Sequence, residues 1–181
     1  MTQTHAARLT VDEFERLLAL PDYQDRRIEL INGEMVEAMP NSTHASLAFR
    51  LAFLLGTYLA GNPIGVGLVE PRVQMASHSL IPDVAFVSAA RAALIIPDQA
   101  LSFVPDLCIE IASPGQPLAL LSQKAAFYLA HGGRMVWLIY PDRGIVEWLT
   151  RDGRDLLTGQ MAIDGGDVLP GLALTAGEVV G

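Results

Sequence analysis

"PDLCIEIASPG", residues 105–115, and its echo "IPDVAFVS", residues 81–88, decide how this chain is read. Each is a short apolar run of strand character with an acidic residue beside or inside it. Glu110 stands between Ile109 and Ile111, where a carboxylate is costly to bury unless something compensates its charge. Asp83 opens the other run, directly after Pro82. If the two runs are neighbouring strands, both carboxylates can point to one face of a sheet.

The flanking segments supply the rest of a mixed architecture. Thr10 and Glu13 form a capping box ahead of Phe14, Leu17 and Leu18 at helical spacing. "RRIELINGEMVEA" reads as a β-hairpin closed by Asn32-Gly33, the pair suited to a type I′ turn. A helix is predicted from about Ser42 to Ala60, with Gly61 as its C-terminal cap. "GVGLVEPRVQMA" supplies one or two strands, and Pro71 favours an edge or a bulge. "QPLALLSQKAAFYLAHGG" is a second long helix, with Pro117 near its first turn and Gly132-Gly133 past its end. "RMVWLIYP" and "GIVEWLTR" are strands joined by the turn "PDRG", and the Gly-rich tail is expected to form short edge strands. An early helix, then strands with interleaved helices, gives an α/β (α+β) domain with a central mixed sheet flanked by helices.

Composition bounds the function. The chain has 181 residues, 51% hydrophobic and 18% charged, enough for one globular domain. No stretch approaches the roughly 20 uninterrupted apolar residues of a membrane span. The first residues lack an apolar signal core, so the expected location is cytoplasmic. The single cysteine, Cys108, excludes an internal disulfide and reads as a buried core residue. A net charge of −8 argues against bulk attraction to nucleic acid, so any such contact needs a local basic surface or bound metal ions.

Lys124 is the only lysine; the other eleven basic side chains are arginines. Its neighbours three and four positions away on the helix are Leu120, Leu121, Phe127 and Tyr128, so its ammonium emerges from an apolar surround. The plain reading is a stem lying along apolar surface with its head in solvent. The chemical reading begins with Asp83 and Glu110 sharing a divalent cation. Hard oxygen ligands suit Mg²⁺, which takes one or two protein carboxylates and keeps several waters. A lysine beside that cation could orient or deprotonate a water, or stabilise negative charge on a phosphate. Together these groups are a minimal apparatus for phosphodiester hydrolysis.

At this point the chain resembles a known family. "RIELINGEMVEAMPNSTHASLAFRLAFLL", "IPDVAFV", "PDLCIEIASP" and "QKAAFYLAHGGRMVWLIYP" match in order the blocks of the Uma-two group. That is a bacterial family with the restriction-endonuclease-like fold, within the PD-(D/E)XK nuclease superfamily. The resemblance covers roughly residues 10 to 175. It implies an endonuclease acting on nucleic acid, DNA first, with Mg²⁺ as cofactor and Mn²⁺ as substitute. It allows a homodimer and involves no membrane. Pro82-Asp83 fits the first half of the motif and Glu110 the second. The motif lysine, two residues beyond Glu110, is replaced by Ala112, and Lys124 matches a lysine that the family takes from the following helix. Small Ala112 shares a strand face with Glu110 and would leave room for it. Glu29 matches a family glutamate that could help hold the metal or its water; its alternative is an exposed strand carboxylate. His44 matches a family histidine that would touch a phosphate or leaving oxygen; its alternative is a surface or packing residue.

The departures bear on activity. Leu120, Met135 and Tyr140 stand where family members often carry acidic residues, which would alter metal geometry, change a surface contact or mark a decayed enzyme. Other chemistries find no support. "GNPIGVG" lacks the Lys-Ser or Lys-Thr of a phosphate loop, Ser113 is not in a nucleophile elbow, and one cysteine with scattered histidines argues against zinc. His5, His78 and His131 have no ligand spacing. Trp137 and Trp148 read as sheet packing. Three outcomes remain open. An enzyme should bring Asp83, Glu110 and Lys124 to a common point open to solvent. An inactive nuclease-fold protein, binding nucleic acid or another protein, should close Lys124 onto Glu110 and show an apolar patch elsewhere. A small-molecule hydrolase should show a narrow pocket.

Overall fold

A computed structural model describes residues 8–24, 26–39 and 41–181; His5 lies outside them. Helix α1, Val11–Leu18, starts at Thr10, whose side chain accepts from Glu13 N–H while the Glu13 carboxylate accepts from Thr10 N–H, so the capping box is complete. Strands β1, Ile28–Ile31, and β2, Glu34–Glu37, form the hairpin. Both turn residues have positive φ, 52° at Asn32 and 80° at Gly33, as a type I′ turn demands.

Helix α2 runs from Ser42 to Gly61 and is capped by the Asn41 side chain accepting from His44 N–H. Gly61 is its last helical residue rather than its cap, and Asn62 follows with an extended φ of −137°. The next segment makes two strands, β3, Gly65–Val69, and β4, Val73–Met75, and these enter different sheets. Pro71 interrupts them, beside Glu70 at a positive φ of 49°. Strand β5, His78–Leu80, was not expected; three residues are too few to display an alternation. Strand β6, Val84–Ser88, leads into the short helix α3, Ala89–Ala92, and then to β7, Leu107–Ile111. Helix α4, Leu118–Ala130, connects β7 to β8, Met135–Tyr140, and a 3₁₀ turn ending at left-handed Gly144 leads to β9, Ile145–Thr150. The tail forms β10, Arg154–Thr158, β11, Ala162–Ile163, and β12, Leu174–Thr175. It ends in a helix the sequence reading lacked, α5, Ala176–Val180, with its own Thr175–Glu178 capping box.

Two main sheets result. The larger has the order β10-β9-β8-β7-β6-β3, and the smaller β2-β1-β5-β4. Within the larger, β7 and β8 are parallel and the other pairs antiparallel. That parallel step needs a crossover of a dozen or more residues, which α4 supplies. Alternation along β7 then divides the core. Leu107, Ile109 and Ile111 pack with Leu47, Leu51 and Leu55 of α2 and with α5. Cys108 faces the opposite side, with Leu121, Ala125 and Tyr128 of α4 and with Ile31, Val73 and Leu80 of the smaller sheet. Residues two apart share a strand face, so Glu110 accompanies Cys108 toward α4.

Candidate active site

The sheet order brings the two acidic runs together. β6 and β7 are antiparallel neighbours with Val84 opposite Ile109, and Asp83 N–H donates to Ile109 C=O at 2.9 Å. This register places Asp83 across from Glu110. The smaller sheet contributes from the other side of α4: β1 carries Glu29, and the Glu29 carboxylate accepts from Ile81 N–H just past β5. Helix α4 supplies Lys124 between the two sheets. All four side chains, and that of His44, are buried.

Lys124 is therefore not a surface lysine. Its Nζ donates to Glu110 Oε2 at 2.6 Å and lies 2.8 and 3.0 Å from the two oxygens of Glu29. Tyr128, one turn further along α4, donates its hydroxyl to the other Glu110 oxygen at 2.7 Å. Asp83 forms an adjoining group. Its Oδ1 accepts from Arg27 Nη2 at 2.6 Å, its Oδ2 accepts from Ile111 N–H at 2.6 Å, and His44 Nε2 lies 3.3 Å from Oδ2. Arg27 Nη2 also donates to Ile81 C=O, and its Nε faces half-exposed Glu70 at 3.6 Å. Glu29 is thus no exposed strand carboxylate, and His44 meets Asp83 in the interior.

The charges explain the shifts in acidity. Three buried carboxylates, Glu29, Asp83 and Glu110, face two fixed cations, Lys124 and Arg27. Burial pushes the Glu110 carboxyl up to about 8; Lys124 opposes this, while the charges of Glu29 and Asp83 add to it. Burial alone would lower Lys124, but Glu110 and Glu29 outweigh it and hold the ammonium above its ordinary value. Asp83 goes the other way: burial would raise it, yet His44 and Arg27 bring it below the usual carboxylate value. Burial and the neighbouring Glu110 charge raise the Tyr128 hydroxyl well above its ordinary value, so it remains a donor.

This arrangement can be compared with the needs of a divalent cation. The donors are hard oxygens, as Mg²⁺ prefers, and a surplus of negative charge is the condition a cation relieves. Every oxygen of Asp83, Glu110 and Glu29 nevertheless has a partner already, and no group of three or more His, Cys, Asp or Glu among the described residues is arranged to hold a metal ion. The chemistry fits; binding requires the carboxylates to exchange some contacts with Lys124, Arg27 or His44 for contacts with the ion. The common point is closed to solvent, with Asp83, Glu110 and Lys124 each at most 3% exposed. Ala112, on the same face of the chain two residues past Glu110, lines a cavity of about 190 Å³ with Gln116, Leu118, Tyr140 and Arg143.

Three partners escaped the sequence reading. Arg27 and Tyr128 hold Asp83 and Glu110, and Ile111 N–H completes the Asp83 shell. Tyr128 was detectable in principle, one turn from Lys124 on the same helix face. Arg27 was not, because its partner lies 56 positions away. Tyr140, one of the three departures from the resemblance, donates its hydroxyl to buried Glu147 on β9 at 2.9 Å. His78 and His131 each stack on Phe127, with ring centroids 4.0 and 4.1 Å away, and join no ligand cluster among the described residues. Cys108 and Trp137 are core residues as expected, while Trp148 is half-buried and donates to Asp164 C=O.

Comparisons with known proteins bear on the fold and the family. The model of the family described as "Uma2: Putative restriction endonuclease" matches residues 11–177. A solved structure titled as a "putative nuclease belonging to DUF820" from Anabaena variabilis superposes with a TM-score of 0.82 at 22% identity, covering 95% of this chain and 97% of that one. At that identity the likeness concerns the fold. No curated protein matches, and among the described residues no helix is long and apolar enough to cross a membrane.

Proposed function

The chain belongs to the Uma2 family, and on that footing we propose that it is a Mg²⁺-dependent endonuclease hydrolysing phosphodiester bonds, with DNA as substrate. The observation that supports this reading is the meeting of three buried carboxylates, Glu29, Asp83 and Glu110, around Lys124, Arg27 and His44. Burial and its acidic neighbours push the Glu110 carboxyl up to about 8, so it keeps a proton near neutrality, and a bound cation would take that proton's place. Asp83 and Glu110 would hold the ion, with Glu29 assisting it or its water. The ion would supply Lewis-acid activation of the scissile phosphate and a more acidic bound water.

In that reaction a water oxygen would form a bond to phosphorus as the bond from phosphorus to the leaving sugar oxygen breaks, with the water giving up a proton to solvent and the leaving oxygen taking one from it. Lys124, held as an ammonium by Glu29 and Glu110, is suited to donate hydrogen bonds to the charged phosphate rather than to remove a proton from water. Tyr128 fixes the rotamer of Glu110, and Arg27 with Ile111 N–H fixes that of Asp83. His44, beside Asp83 in the first turn of α2, would orient that carboxylate or contact the leaving oxygen.

A second reading is favoured by the closure of Lys124 onto both glutamates: an inactive nuclease-fold protein that binds nucleic acid or another protein. Cleavage of plasmid and single-stranded DNA with Mg²⁺ or Mn²⁺ separates the two. The nuclease reading expects metal-dependent cutting that disappears in folded Lys124→Ala and Asp83→Asn variants. Cutting that survives both variants, or none from the wild type in either metal, would sink it.

A further inference from the structure

We propose that the outer face of α2, together with β3, pairs two copies of this chain as a two-fold homodimer. The face is apolar where a monomer would be polar. Phe49 is 75% exposed and Phe53 64% exposed on the helix side turned from the core, although phenylalanine belongs among the interior residues. Gly56 and Ala60 continue the same stripe, since positions three and four apart share a helix face. Beside the stripe runs β3, the edge strand of the larger sheet, whose Gly67 and exposed Val69 share the side toward α2 while Val66 points to the other face. Between helix and strand lies a groove of about 460 Å³ lined by Ala52, Leu55, Gly56, Leu59, Val66 and Val69, among others. A Cβ built on Gly56 would meet nothing within 4 Å, so the groove is open there.

Knobs and hollow lie on one helix at spacings that make the face its own complement. In an antiparallel crossing of two α2 helices about a two-fold axis between Leu54 and Leu55, Phe53 of one copy meets the partner's Gly56, and Phe49 meets the partner's Ala60. Each large ring faces a residue with little or no side chain, and the same contacts recur in reverse, as a two-fold interface requires. Charge supports the same partner. The chain carries −8, so two copies repel at a distance, yet Arg50 is the only Asp, Glu, Lys or Arg from Ser42 through Val69. The area is sufficient: the two phenylalanines with Val69 and the groove walls offer roughly 500 Å² per copy, about the 1,000 Å² total that a specific interface needs. The partner would also cover part of the β3 edge, which is otherwise open to non-specific strand pairing.

Light scattering of the full chain across a dilution series tests this without depending on catalysis. The wild type should show twice the 19.5 kDa chain mass at tens of micromolar, and Phe53→Glu should show the single-chain mass. Gly56→Leu adds a side chain where the single copy has room and improves helix propensity. It should keep its circular dichroism and thermal transition yet also run as a monomer. A wild type of single-chain mass overturns the proposal and leaves the face to a different protein. A dimer that survives both substitutions also overturns it, because the contact then lies elsewhere.

Discussion

Two buried carboxylates four residues apart on the same strand region are treated in opposite ways. Asp106, just ahead of β7, accepts from Ser88 N–H at 2.8 Å and faces Arg91 at 3.2 Å and Arg134 at 3.8 Å, both arginines reaching solvent. One carboxylate there has two cations and a backbone donor, which makes an anchor tying the start of α3 to the sheet. Glu110 has half a lysine and a tyrosine hydroxyl, and shares that lysine with another carboxylate. Burial is the same; compensation is not. A structural ion pair closes its charge balance with protein groups, while a site that handles a cation leaves the balance open.

Four measurements sharpen or break this contrast. The largest effect is expected for Lys124→Met, which strips both glutamates of their ammonium. Loss of one member of a buried ion group costs about 3–5 kcal/mol, so the urea midpoint at pH 8 should fall sharply, and less at pH 5, where the raised Glu110 carboxyl holds its proton. Next comes the pH dependence of the metal-free protein. The folded Glu110 value lies above the ordinary one, so the folded state keeps a proton that the unfolded chain has lost between about pH 4.5 and 8. Stability is therefore fully present below that window and falls as pH rises through it, by at most about 1.4 kcal/mol per pH unit for one proton. Glu110→Gln should flatten this slope; an unchanged slope would assign it to another group. Asp106→Asn should cost about 1–3 kcal/mol, since its arginines can turn to water. It should leave any metal-dependent cutting intact, and loss of cutting in a folded Asp106→Asn protein would erase the distinction between the two carboxylates. Smallest is Tyr128→Phe, about 1 kcal/mol for one hydrogen bond, seen as a small fall in melting temperature.

How much of this was legible depended on the range of the interactions. Local chemistry could be read directly: the Thr10–Glu13 box, the Asn32-Gly33 turn, Pro117 ahead of α4 and the alternation along β7 all need only neighbours in sequence. Asp83, Glu110 and Lys124 could be selected because each breaks an apolar pattern. Their closure could not. It depends on β5, too short to announce itself, placing Ile81 N–H against Glu29 52 positions away, and on Arg27 reaching Asp83. Pro-Asp pairs also occur at Asp22, Asp98, Asp106 and Asp142; only strand order shows that Asp83 lies opposite Glu110. The helix α5 was hidden by the glycines of its neighbourhood.

The most direct test of the central claim, that Glu110 serves a cation, is calorimetric titration of Mn²⁺ into the protein at pH 7, repeated in buffers of different ionisation enthalpy. The account predicts binding accompanied by proton release, because the ion must displace the proton that Glu110 carries at that pH, and predicts that Glu110→Gln loses the proton release and most of the affinity. No heat of binding in the folded wild type, or binding unchanged by Glu110→Gln, would contradict it.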